Sequence, residues 1–251
     1  MEPQTTVIVP TYNERENIES LVTQLLGLPV EARVIVVDDN SPDGTGAIAE
    51  ELAREHGRRV GIIHRAGKLG LGTAYVAGFK RALGEGAELI CTMDADFSHN
   101  PRYVPDLVAK IGEGCDVAIG SRYVDGGGTS GCTAMRKVLS RGANGFARAA
   151  LGLQAHDATA GFRCYRREVL ETVGVDEIKA DGYSFLIEML FRVERQGWRV
   201  GEVPILFENR RQGISKISQD EIFRAIWTVL RLAKTRLNSR GSVHRRTDPG
   251  N

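Results

Sequence analysis

TVIVPTYNERENIESLVTQLLGLPVEARVIVVD, residues 6–38, decides the fold. Its two ends, 6–10 and 33–38, are short β-branched runs, and 14–26 between them is a longer amphipathic stretch. That is strand, helix, strand, the unit of a parallel sheet crossed by helices. Strands at 60–64, 89–94 and 116–120 repeat it, with helices at 45–56, 71–83 and 101–111. The class is therefore α/β, a mostly parallel central sheet flanked by helices. Pro42-Asp43-Gly44 marks a turn, and glycine-rich 126–131 reads as a mobile functional loop. Beyond it the alternation lapses into a helix at 135–151, a strand at 162–165, helices at 167–173 and 183–196, a strand at 199–207 and a last helix at 219–237. Residues 1–238 are read as one domain, and 239–251 as a disordered basic tail.

The chain has 251 residues, enough to bury a core without staples, and 42% of them are hydrophobic. Cys91, Cys115, Cys132 and Cys164 form no CxxC pair, which argues against a zinc site or a disulfide framework and fits a reducing cytoplasm. No apolar run reaches the roughly 18 residues of a membrane span. The formal net charge of +1 hides a gradient: residues 1–100 carry 9 basic and 15 acidic side chains, residues 201–251 carry 10 and 5. A basic end of this kind suits phosphates or a lipid surface.

Ligands of open parallel sheets bind beyond the carboxyl ends of the strands. Those ends read Pro10-Thr11-Tyr12-Asn13-Glu14, Asp38-Asp39-Asn40-Ser41, His64-Arg65, Asp94-Ala95-Asp96 and Gly120-Ser121-Arg122. Asp94 and Asp96 leave the apolar strand Leu89-Ile90-Cys91-Thr92-Met93, and alternate carboxylates there suit Mg²⁺ or Mn²⁺ carrying a diphosphate. The first strand is followed by PTYNERE and not by GxGxxG, and no GxxxxGK[ST] occurs, so a dinucleotide dehydrogenase and a P-loop enzyme are unsupported. A nucleotide held by aromatic and acidic side chains, with its diphosphate on a metal, describes a nucleotide-sugar transferase.

VIVPTYNERENI, VVDDNSPDGT, KLGLGTAYVAGF, MDADFSH, IGSRY, DATAGFRCYRREVL and GISKIS together resemble the polyprenol-phosphate (dolichol-phosphate) mannose synthases, inverting family 2 glycosyltransferases of the GT-A fold, in the type without transmembrane helices. The resemblance implies a donor, GDP-mannose, whose guanosine is held by Pro10, Tyr12, Glu14, Val37 and Asp39. It implies that Asp94 and Asp96 manage the sugar diphosphate and a divalent cation, with Ala95 in contact with the nucleotide sugar, Ser98 at the third metal position and Arg122 beside the donor. Arg136 and Ser140 match positions that meet the phosphate of a polyprenyl monophosphate acceptor. Arg210 and Lys216 match a basic pair that closes over the phosphates. The chain departs from the resemblance at Asp181 and Leu186, and in Thr129-Ser130-Gly131-Cys132-Thr133, where related members often carry tryptophans.

The implied partners are GDP-mannose, the lipid phosphate, the cytoplasmic face of a membrane and a possible membrane-protein partner, with no nucleic acid. Arg231, Lys234, Arg236 and Arg240 of the last helix are read as cations for anionic headgroups. Competing readings are a UDP-glucose-dependent polyprenyl-phosphate glucosyltransferase, a family 2 transferase with a soluble acceptor, and a non-catalytic nucleotide-sugar-binding subunit.

Overall fold

The computed structural model describes residues 4–178, 180, 182–209 and 219–243, without the side chains of 219–222 and 237–243. Seven strands form the main sheet in the order β3-β2-β1-β4-β7-β5-β8: β1 Thr5–Thr11, β2 Ala32–Asp38, β3 Val60–His64, β4 Leu89–Thr92, β5 Val117–Ser121, β7 Arg163–Arg166 and β8 Val200–Pro204. All neighbours run parallel except around β7, which is antiparallel to both β4 and β5.

Both faces of this sheet are covered, which is why its strands read as unbroken apolar runs. Alternate residues divide between two cores. Ile8, Ile35, Val37 and Ile90 pack with α3 (Leu71–Gly84), α7 (Gly182–Arg195) and α8 (Gln219–Val243). Val7, Val9, Val34, Val36 and Cys91 pack with α1 (Ile18–Leu26), α2 (Thr45–His56) and α4 (Val104–Gly112). The α1 stripe Ile18, Leu21, Val22 and Leu25 is fully buried, as its spacing requires. Gly78 of α3 sits so close to β1 that a Cβ there would lie 2.5 Å from Ile8 Cγ2. This glycine sets the distance between helix and sheet.

Three parts differ from the sequence reading. The stretch 199–207 is two strands, because the chain leaves the main sheet after β8 and forms β9 (Leu206–Glu208) outside it. The expected mobile loop 126–131 contains β6 (Gly128–Ser130), which pairs parallel with β9 in a separate two-stranded sheet. Glycine content hid this strand, since its partner lies 78 positions downstream in the register Gly128 to Leu206. Finally, α8 continues to Val243, past residue 237.

The α8 faces are also redistributed. Val229 and Leu232 are buried, whereas Phe223, Ile226, Trp227 and Leu230 are exposed. Arg231 turns inward to Glu188, a carboxylate only 1% exposed that also receives Arg192 at 3.0 Å. Arg236 Nη1 donates to the Ala150 carbonyl of α5 (Ala134–Leu151). These two arginines therefore also tie α8 to the protein, the Arg231 side chain with 48% of its surface still exposed. Lys234 is exposed, and the side chain of Arg240 lies outside the described residues.

Candidate active site

The sheet order puts β1 between β2 and β4, so the crossovers leaving β1 and β4 diverge and open a crevice at their carboxyl ends. Among the described residues three non-glycine residues have positive φ, and all follow strands bordering this crevice: Asn13 (60°) after β1, Asn40 (57°) after β2 and Phe97 (59°) after β4. Asn tolerates the left-handed region, but for a bulky Phe it is strained, and such strain concentrates at ligand sites.

The β1 and β2 ends are tied by Thr11 Oγ1, which donates to Asp38 Oδ1 at 2.9 Å, and by Ser41, whose backbone N–H and hydroxyl both reach Asp38. Asp43 accepts from Thr45 and from the Arg15 N–H; burial alone would raise its carboxyl, but these hydrogen bonds hold it below the ordinary range. Thr45 Oγ1 accepts from the Glu14 N–H, and Glu14 accepts from the Asn17 amide. Tyr12 is 38% exposed with Lys68 Nζ 4.4 Å from its ring centroid, leaving an aromatic plate at the mouth. Asp39 is nearly buried and receives Arg65 Nη1 at 2.6 Å and the Leu69 N–H at 3.2 Å. Burial nevertheless pushes its carboxyl up. Pro10 lies opposite Val37 in the register, and the Val37 side chain is core, so only its backbone borders the crevice.

At the end of β4 the carboxylates of Asp94 and Asp96 differ in surroundings. The Asp94 side chain is 34% exposed, while Asp96 is 7% exposed with Oδ1 accepting the Ser98 N–H at 3.0 Å. Ala95 between them is buried. His99 lies beneath, stacked on Phe162 at 5.1 Å, and its Nδ1 accepts the Asp94 N–H at 3.2 Å. Tyr75 OH also approaches, since a Cβ on Gly161 would lie 3.3 Å from it and 3.7 Å from Asp94 Oδ1. Burial, then the Asp94 charge, raises the Tyr75 phenol well above its ordinary value, so it stays protonated. Two carboxylates and the buried Ser98 hydroxyl, which has no hydrogen-bond partner among the described residues, make an all-oxygen donor set. That set fits a hard divalent cation whose other ligands come from a diphosphate and water.

His99 is fully buried, and burial lowers its pKa against the raising effect of Asp94 and Asp96. A depressed histidine contributes stability that is full above the unfolded value of about 6.5 and is lost as pH falls through the folded value. The gap in melting temperature between wild type and His99→Gln should therefore shrink between pH 8 and pH 5. A constant gap across that range would mean that the imidazolium is tolerated there.

Arg122, at the end of β5, is fixed as a fork. Its Nε and Nη2 reach the two oxygens of Asp157, each at 2.7 Å, its backbone N–H reaches Oδ2, and Nη2 also reaches Thr159. Its guanidinium lies 5.4 Å from the Phe207 ring centroid. Burial alone would lower its pKa, but the Asp157 hydrogen bond and charge raise it, so the cation persists. Asp157 is held in turn by Glu202, which accepts the N–H groups of His156 and Asp157. Arg163, wholly buried, donates to the carbonyls of Ala158, Ala160 and Leu186, clamping the turn that carries Asp157 and Thr159.

On α5, Arg136 and Ser140 stand one turn apart. Ser140 Oγ is 2.7 Å from Tyr123 OH, and Arg136 Nη1 donates to Asn209 Oδ1 at 3.0 Å. Thr133 caps this helix through the Arg136 N–H. Asn144 bonds Thr159 Oγ1 and the Ala158 N–H, joining α5 to the Arg122–Asp157 turn. Arg210, Lys216 and Asp181 lie outside the described residues. Sequence reasoning passed over Arg163 and Asn209, and no local signal marks either; Arg65 and Asp157 were visible as polar residues at a strand end and a turn.

Residues 6–174 match glycosyl transferase family 2. The chain belongs to that family. This family 2 glycosyltransferase is 46% identical over 226 residues, 90% of its length and 85% of the relative's, to polyprenol monophosphomannose synthase of Mycolicibacterium smegmatis. It is 42% identical to undecaprenyl-phosphate mannosyltransferase of Micrococcus luteus, over 89% of this chain and 91% of that one. Among solved structures, glucosyl-3-phosphoglycerate synthase from Mycobacterium tuberculosis with Mn²⁺, UDP and glucosyl-3-phosphoglycerate superposes with a TM-score of 0.65 at 22% identity, covering 92% of this chain and 80% of that one. A Pyrobaculum calidifontis mannosyltransferase with GDP-Man and Mn²⁺ gives 0.58 at 19%, covering 89% and 61%. The fold of this glycosyltransferase is GT-A. Among the described residues no helix is long and apolar enough to cross a membrane.

Proposed function

We propose that the protein transfers mannose from GDP-mannose to a polyprenyl monophosphate with inversion, releasing GDP. The observation that carries this reading is a nucleotide-sugar crevice that adjoins a cationic helix with an exposed apolar face. The α5 side chains Met135, Val138 and Leu139 are each at least 60% exposed on the helix that carries Arg136 and Ser140, and α8 packs beside it with Phe223 and Trp227 outward. A soluble acceptor has no use for such a surface, whereas a lipid phosphate brings both an anion and an apolar chain. The names of the two relatives point the same way.

In this reading Tyr12, Lys68 and the Asp39–Arg65 pair receive the nucleoside, with Pro10, Glu14 and the backbone of Val37 shaping the floor. Asp94, Asp96 and Ser98 hold a divalent cation, which when bound neutralises the leaving diphosphate. Arg122, locked by Asp157, keeps a fixed positive charge beside the donor. Arg136 and Ser140 hold the acceptor phosphate, and Arg210 and Lys216 close over the phosphates. The acceptor oxygen is already anionic at neutral pH, so alignment and charge stabilisation carry the rate and no strong base is required. The exposed apolar face of α5 and α8 rests on the cytoplasmic surface of the bilayer that contains the acceptor.

The test is a donor and acceptor screen with purified protein, scoring labelled sugar extracted with the lipid phosphate and the anomeric configuration by NMR. Mannose from GDP-mannose in β linkage is expected. Transfer from UDP-glucose with none from GDP-mannose would replace the donor assignment, and transfer to water-soluble phosphates only would remove the acceptor.

A further inference from the structure

Beside the acceptor helix lies a cavity of about 470 Å³ that borders the proposed donor site at Arg122 but is lined for the rest by residues without a part in the proposed transfer. It opens between the chain after β5 and the α5 face that carries Arg141, Asn144, Gly145 and Arg148, with His156 and Tyr123 on its walls. Among the described residues neither Arg141 nor Arg148 has a carboxylate partner, and Arg148 Nε is buried without a hydrogen-bond partner. The remaining arginine of the walls, Arg122, is already committed to Asp157, and the His156 ring lies 2.8 Å from a Glu202 oxygen. Asp125 is the one wall carboxylate outside those pairs, set against two arginines. The balance favours an anion.

The geometry of α5 narrows the kind of anion. Val138, Arg141, Gly145 and Arg148 follow one helical row, and Met135, Leu139 and Phe146 follow the row beside it. The second row is exposed and apolar, so the cavity opens onto a strip suited to hydrocarbon. Across its 18 residues α5 carries four cations, Arg136, Lys137, Arg141 and Arg148, and no carboxylate. Arg136 and Ser140 point to another side, toward Asn209 and Tyr123.

We propose that the cavity is a second lipid-phosphate site, taking the headgroup of an anionic bilayer phospholipid while its chains lie along Met135, Leu139 and Phe146. This rests on the membrane placement of α5 but not on the sugar-transfer chemistry. The site would seat the enzyme at a fixed height and rotation, so that the acceptor phosphate arrives at Arg136 and Ser140 from the membrane plane.

The full chain is tested by flotation on phosphatidylglycerol vesicles and on phosphatidylcholine vesicles, both free of polyprenyl phosphate. Three variants are compared: Arg141→Gln with Arg148→Gln, Gly145→Leu, and Lys137→Gln. A leucine at 145 fills the mouth without backbone conflict, because a Cβ there meets nothing within 4 Å. The arginine pair should weaken binding to phosphatidylglycerol at least about tenfold, since each headgroup-facing cation is worth about fivefold. Gly145→Leu should weaken it with every charge retained, whereas Lys137→Gln, outside the cavity, should change it less than either. Melting temperatures, and turnover of a short-chain acceptor in detergent, should stay near wild type.

The site is overturned if Lys137→Gln matches the arginine pair with Gly145→Leu silent, because the attraction is then diffuse. It is also overturned if wild type fails to float on phosphatidylglycerol, or if the variants lose binding only when polyprenyl phosphate is added, which would make the cavity an acceptor subsite. Loss of donor turnover in wild type would instead count against the proposed transfer and leave the flotation result standing.

Discussion

Asp96→Ala is expected to lower kcat for sugar transfer by at least about 100-fold, the size of losing one preorganised electrostatic contact in a dry site. The effect is this large because the carboxylate is 7% exposed and held by the Ser98 N–H, so water cannot take over its position. Donor affinity should fall less than turnover, since Tyr12 and the Asp39–Arg65 pair remain. The comparison is steady-state transfer over a titration of Mg²⁺ or Mn²⁺. A variant that keeps wild-type turnover in EDTA would remove Asp96 from the site.

The second large effect is on stability. Arg163→Met should destabilise the protein by about 3–5 kcal/mol, because it strands three buried carbonyls, those of Ala158, Ala160 and Leu186. Arg163→Lys keeps the charge but not the planar fork and should fall between. Urea unfolding followed by circular dichroism reads both; a loss under about 1 kcal/mol in the methionine variant would mean that the carbonyls find other donors. Because the clamped turn carries Asp157, the lysine variant should also lose turnover ahead of donor affinity, as Arg122 loosens.

The parallel core and the crevice were legible because their causes are local. A strand buried on both faces must be apolar throughout, and the crossover helices must show one apolar stripe, so residues 6–120 state their own arrangement. The polar residues collected at strand ends, Asp94 and Asp96 above all, stood out against those runs. What was not legible depends on distant partners. β6 is Gly-Thr-Ser and forms only because β9 comes beside it. The outward face of α8 could not be told from its core face, since Ile226 and Val229 are equally apolar and only the packing of α7 decides between them. Arg163 looks like any charged residue until the fold wraps three carbonyls around it.

Phe97 stands between Asp96 and Ser98 with φ at 59°, and its ring packs on the core that contains Ala95. Glycine would take that conformation without strain, but it would forfeit the packing of the ring on that core. The turn that carries Asp96 and Ser98, proposed to hold the cation, would lose the ring that fastens it. One ring thus both offsets the backbone strain and steadies the turn, and a thermally hardened form of this enzyme should be sought at other residues.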